Sequence, residues 1–157
     1  LEMPYDAREI ANWFIERGAK AGRPCTIMSL LKLAYIAHGW YLEMYDKPLF
    51  HNRIEAWQYG PVVPDIYSTF KPQGMIPVKP DGQYPVQIKP ADQNFLEQIY
   101  GIYGSMSAFR LSELTHEPGG PWATARKWRG WYAEIPNQLI KVHYIGKRYV
   151  ANKKDEK

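Results

Sequence analysis

The sequence predicts a mainly helical α+β fold: a compact single-domain bundle around one central apolar helix, with a small β hairpin or sheet. Three observations predict it. Ile27–Tyr45 is apolar almost all the way round. Glu55–Pro64 alternates weakly and then turns rigidly through Gly60, Pro61 and Pro64. Most remaining apolar residues recur at helical spacing.

The elements follow in order. Asp6 with Glu9 three residues on is a helix start. Ile10, Trp13 and Phe14 continue the helix, and Gly18 is the expected stop. Thr26 is a fair N-cap for the second helix. On that helix Ile27, Leu30, Leu31, Ala34, Ala37, Tyr41 and Leu42 share one broad side, widened by Leu33, Trp40 and Met44. Ser29, Lys32 and Glu43 cluster opposite, as a narrow stripe toward water. A helix this apolar is usually central. Asn52–Trp57 reads as a short strand, with Leu49-Phe50 or Val86–Ile88 as its expected partner. Trp57 and Tyr59, two apart, would share a face on such a strand. Gly60 supplies positive φ, and Pro61 and Pro64 fix φ. Pro64 also suits the first turn of a short helix carrying Ile66, Tyr67 and Phe70.

Lys71–Pro90 is rich in proline and glycine, with a turn at Asp81-Gly82. It is either a variable decoration or a partner-docking arm. Helical spacing returns at Asp92–Tyr103, and Gly104 ends it. Ser107 caps Ala108–Thr115, whose apolar positions are Phe109, Leu111 and Leu114. A turn at His116–Gly120 leads to a helix opened by Pro121 and Trp122 and closed by Gly130. A last helix starts at Ile135–Asn137 and runs to about Arg148. The expected organisation is one domain over residues 3–150, a fraying tail over 151–157, and an expression scar at Leu1-Glu2.

Composition narrows the function classes. A net charge of +4 permits an anionic partner without pointing to one. The single cysteine, Cys25, excludes an internal disulfide framework and fits a reducing compartment. No apolar run reaches spanning length and no leader is visible, so the expected location is cytoplasmic, with no membrane partner. The aromatic share of 15% is high and favours dense packing or an aromatic interaction surface.

No constellation argues for an enzyme, a cofactor or a metal. The histidines, at 38, 51, 116 and 143, show no metal-ligand spacing. His38 lies mid-arc on the apolar helix and reads as a neutral core imidazole with one partner. A hydrolase would need His38 and His116 to converge. Gly119-Gly120-Pro121 lacks the lysine of a phosphate loop. The one basic-aromatic cluster is Arg126–Tyr132. It reads as an amphipathic helix with solvated cations, as a protein interface, or as a nucleic-acid patch. The small basic surplus ranks protein above nucleic acid.

Several blocks then occur in a recognisable order: Lys32–Trp40, Pro48–Phe50, Ile54–Pro64, Leu111–His116 and Pro121-Trp122. In that order they resemble the Panacea domain, the SocA-like or GepA-like antitoxin family of bacterial and phage toxin–antitoxin pairs. The resemblance covers about Ile10 to Val150 and transfers nothing to Lys71–Pro90. It implies a mainly helical fold with a small β element and a non-enzymatic antitoxin that neutralises its cognate toxin by direct binding. A family member that delivers its toxin to a cytosolic protease makes an adaptor the alternative. A DNA-binding autorepressor is a further one, motivated by the run Arg126–Arg129. The resemblance implies a scaffold role for Tyr35, His38, Trp40, Trp57, Tyr59, Gly60, Pro61, Pro64, His116, Pro121 and Trp122. Candidate partner anchors are Tyr67, Tyr84, Arg126, Trp128, Arg129 and Trp131.

Overall fold

A computed structural model describes residues 3–71 and 77–155. Among them are seven helices and three short strands. The helices are α1 (Ala7–Lys20), α2 (Ile27–Tyr45), α3 (Pro64–Phe70), α4 (Pro90–Tyr103), α5 (Ala108–Thr115), α6 (Pro121–Arg129) and α7 (Asn137–Asp155). The strands are β1 (Glu55–Trp57), β2 (Gly60–Val62) and β3 (Ala133–Glu134).

Helix α2 is the centre of the bundle, as its apolar circumference predicts. It packs against α1, α3, α4, α5, α7 and β2. Thr26 and Ser29 form a reciprocal capping box at its start. Asp46, at φ 54°, ends it in the left-handed region. Tyr5 and Tyr41 both donate to the carboxylate of Asp92, tying α4 to the N-terminal segment and to α2.

Several details differ from the sequence reading. Gly18 does not stop α1; the helix continues to Lys20. The glycine is needed because the chain folds back over it. Arg23 N donates to Gly18 O at 2.8 Å, and a Cβ at Gly18 would lie 2.7 Å from Arg23 O. Glu9 does not complete a capping box; its carboxylate takes the backbone N–H of Gln87 instead. Met44 points outward, and so does Phe109 on α5, where Leu111 and Thr115 are the buried positions.

Strand β1 pairs with neither expected partner. It is the middle strand of an antiparallel sheet ordered β2-β1-β3. Leu49-Phe50 and Val86–Ile88 are occupied elsewhere: Phe50 bridges Tyr5, and Gln87 spends its amide on Glu9. Trp57 faces Gly60 in the register, which leaves Gln58-Tyr59 as the two-residue turn. Tyr59 therefore leaves the face of Trp57 and is exposed. Strand β3 joins through Tyr132 N to Ala56 O and Ile135 N to Ile54 O, both 2.8 Å.

Residues 72–76 of the proline-rich stretch lie outside the described residues. From Pro77 to Lys89 it has no helix and packs across α1. Buried Asn12 there donates to Asp81 O and Tyr84 O and accepts from Asp81 N. Helix α7 passes Arg148 and reaches Asp155, so residues 151–155 are helical where fraying is expected. Its inner face packs on α2, with Tyr144 lying over Gly39.

Candidate functional site

The residues of the sequence motifs meet at two places. The first is the corner where α2, the β1–β2 hairpin, α5 and α6 converge. Lys32, expected toward water, is fully buried there. Its Nζ donates to Tyr59 O at 2.9 Å and Pro61 O at 3.3 Å. No carboxylate pairs with it among the described residues, and burial pushes its pKa down to about 8. The stripe reading fails because the hairpin covers that side of α2 and offers carbonyls, not solvent.

Gly60 closes against the same ammonium. Its φ is +116°, and a Cβ there would lie 2.6 Å from Lys32 Nζ and 2.8 Å from His116 Cε1. His116 caps the end of α5, with Nδ1 2.7 Å from Ser112 O, and its ring meets the Trp122 edge at 4.5 Å. Trp122 Nε1 donates to Trp57 O at 2.7 Å. Pro61 is buried in β2, and Pro64 and Pro121 open α3 and α6. Lys32, Trp57, Gly60, His116 and Trp122 thus form one interlocked node.

The second place is the α2–α7 contact. Buried His38 stacks on Phe50 at 4.1 Å, and its Nε2 meets Asn137 Oδ1 at 2.8 Å. Among the described residues Nδ1 has no hydrogen-bond partner, and burial pushes the imidazole pKa down to about 4. Tyr35 is buried beside Tyr144, its hydroxyl without a hydrogen-bond partner among the described residues and its pKa raised by burial. Trp40 Nε1 donates to the Tyr103 hydroxyl. The histidines at 38 and 116 have separate partners, so the pairing a hydrolase needs does not form. Cys25 is buried with its pKa pushed up to about 11, which keeps it a thiol. Among the described residues no group of three or more His, Cys, Asp or Glu side chains could hold a metal ion. No helix among them is long and apolar enough to cross a membrane.

The outward face beside the node is different in character. The Arg126 guanidinium lies 4.0 Å over the Trp131 ring and 5.7 Å from that of Trp122. Trp128 is 75% exposed, and Trp131 and Tyr132 are exposed beside it. Between α6 and α7 runs a cleft of about 330 Å³, lined chiefly by Ala125, Trp128, Arg129, Pro136, Leu139 and Val142. Four of the six candidate anchors therefore gather here: Arg126, Trp128, Arg129 and Trp131. Tyr67 reaches this face only indirectly. Its ring packs on Trp57, which packs on Tyr132. Tyr84 is not part of it: the ring lies under Arg8 on α1.

A family model described as antitoxin SocA-like, Panacea domain, matches residues 30–123. The chain belongs to this family. It is 34% identical over 128 residues to Antitoxin SocA of Caulobacter vibrioides (strain NA1000 / CB15N), a match covering 74% of this chain and 68% of that protein. No solved structure matches. The Panacea match contains the whole buried node, from Lys32 through the hairpin to His116 and Trp122. It stops at Ala123, before the exposed stretch that carries Arg126, Trp128, Arg129 and Trp131. The node residue that sequence reasoning placed wrongly is Lys32. The missed cleft residues are Pro136, Leu139 and Val142, which sit on or before a different helix from Trp128.

Proposed function

We propose that this chain is the antitoxin of a toxin–antitoxin pair and neutralises its cognate toxin by direct protein–protein contact through the α6–β3 face. Membership of the SocA-like family supports the antitoxin role. The observation that carries the choice of surface is the exposed Trp128 beside the Arg126–Trp131 stack. Tryptophan and arginine are the side chains most enriched among interface anchors. A stacked guanidinium loses less freedom when a partner arrives than a free one. A stable complex would bury about 1,600 Å² in total, so this face would be the centre of a larger footprint. Tyr67, beside Trp57, would lie toward its rim.

The buried node serves this function by geometry. It fixes the hairpin to α2 and α6, and β3 to the hairpin, so the face is held rigid before binding. Rigid presentation lowers the ordering cost of association.

The test is co-expression of the chain with the product of the adjacent gene, with growth and affinity purification as readouts. The expected result is a neighbour toxic alone, harmless together, and recovered with this chain at a fixed ratio. Arg126→Glu with Trp131→Ala should abolish recovery. Rescue without a complex, accompanied by loss of the neighbour, would replace direct neutralisation by delivery to a protease. Salt-sensitive DNA binding by this chain would open the nucleic-acid reading.

A further inference from the structure

We infer that Tyr132 is a positioning residue of the docking face: its left-handed backbone, braced by its ring on Trp57, sets Trp131 beneath the Arg126 guanidinium, ready for the toxin. This rests on the antitoxin reading and adds the device that holds one of its anchors in place.

The backbone at Tyr132 is the first sign. Among the described residues six take positive φ. Four are glycines, and Asp46 is of the short polar type that tolerates the left-handed region. Tyr132, at φ 63°, is the one with a bulky side chain. Burial does not offset that conformation, since the residue is 61% exposed. The fold alone asks for less. The bond from Tyr132 N to Ala56 O uses the main chain, and a glycine would make it too. Gly130, at φ 88°, shows that choice two residues earlier. An unfavourable backbone kept at the surface points to a task outside the core.

The task is legible in what the turn holds. Gly130 N donates to Arg126 O at the end of α6, and Tyr132 N donates to Ala56 O at the start of β3, both at 2.8 Å. Trp131 lies between these two fixed points. The Arg126 guanidinium sits 4.0 Å over its ring, and the Trp122 ring is 6.5 Å away. The Tyr132 ring meets Trp57 edge to face at 5.5 Å. Trp57 is itself held: its carbonyl takes the Trp122 indole N–H, its own indole N–H goes to Glu55, and Tyr67 packs on it at 5.1 Å. The Tyr132 ring therefore ties the turn to the buried node. A glycine at 132 would enter the left-handed region freely and leave it as freely. Trp131 would then have to be ordered at the moment the toxin arrives.

The experiment compares the parent chain with Tyr132→Gly and Tyr132→Phe. Tyr132→Gly relieves the backbone and loses one exposed ring contact, so its thermal midpoint should stay within ~5 °C of the parent. A larger fall makes Tyr132 a residue of the fold and overturns the inference. The Trp131 indole N–H reads the positioning directly; it is assigned by its absence from the proton–nitrogen NMR spectrum of Trp131→Phe. Its heteronuclear NOE should match the rigid backbone in the parent, fall in Tyr132→Gly and return in Tyr132→Phe. An unchanged value in Tyr132→Gly overturns the inference. Toxin affinity should fall about tenfold in Tyr132→Gly and return in Tyr132→Phe. A loss of binding with an unmoved Trp131 signal makes Tyr132 a contact in its own right and overturns the positioning role. Undiminished binding by Tyr132→Gly, with Arg126→Glu/Trp131→Ala still abolishing it, overturns the inference and leaves direct neutralisation standing. A neighbour that never binds the parent removes the antitoxin reading, and the NMR comparison then decides on the turn alone.

Discussion

Replacing Lys32 by methionine tests the buried node most directly. Methionine keeps the length of the stem and removes the charge. It also strips a donor from Tyr59 O and Pro61 O. Leaving a buried acceptor unpaired costs about 1–3 kcal/mol each. Against that stands the burial of the ammonium itself. Its pKa drops from 10.5 to about 8, and each pH unit between the two values is worth a little over ~1 kcal/mol. That is about 3 kcal/mol, so the two effects nearly cancel at pH 7 and a single measurement there is weak evidence. The pH dependence is decisive. Between pH 8 and 10.5 the unfolded chain keeps the proton that the folded chain releases, so stability rises with pH. Urea unfolding of parent and Lys32→Met at pH 7, 8, 9 and 10 gives the difference between them. It should move in favour of the parent by about 1 kcal/mol per pH unit above pH 8. Tyr5 and Cys25, whose raised pKa values act in the opposite direction at alkaline pH, are present in both proteins and drop out. A difference that stays flat from pH 7 to 10 would refute the reasoning, because the two carbonyls would then hold the ammonium without penalty.

Three further outcomes follow from the same packing. His38 has its pKa lowered to about 4, so its contribution is complete above pH 6.5 and is lost as pH falls toward 4. That loss is about 3 kcal/mol, read by unfolding at pH 7, 5 and 4, and an NMR titration midpoint near 6.5 for this imidazole would contradict it. Gly39→Ala places a Cβ 2.2 Å from the Tyr144 ring, which Tyr35 and Trp40 hold in place. It should destabilise by about 1–3 kcal/mol and speed hydrogen exchange along α7, despite the helix preference for alanine. Gly60→Ala meets Lys32 and His116 at a backbone φ of +116°, and should cost at least ~2 kcal/mol; an unchanged thermal midpoint would show that the hairpin re-forms without that close approach.

What the sequence discloses depends on whether the cause is local. Helix α2 is legible because its apolar circumference carries the signal residue by residue. The α5 and α6 boundaries are legible because Ser107, Pro121 and Gly130 act within a turn of where they stand. Lys32 is not, since its acceptors lie 27 and 29 residues away. A lone cation on an apolar helix carries no sign that a carbonyl-rich turn will cover it. Strand β3 is invisible for a related reason. It is two residues long, too short to alternate, and its place is set by backbone bonds to Ala56 and Ile54. Of the candidate surface, Arg126 and Trp128 stand out as a basic-aromatic run. The walls at Leu139 and Val142 belong to another amphipathic helix and become part of the cleft only once α6 and α7 pack together.

The order β2-β1-β3 has a consequence for exchange between relatives. Its first two strands fall within the matched Panacea region and the third falls beyond it. The seam between them is made by main-chain hydrogen bonds, which are indifferent to side-chain identity. A foreign segment spliced in after Ala123 would have to keep those two backbone amides, the buried Ala125, Ile135 and Ile140, the Asn137 side chain that meets His38, and the aromatic ring over Gly39. Under the docking surface proposed above, specificity would change at exposed side chains such as Trp128 and Trp131, which lie outside the buried node.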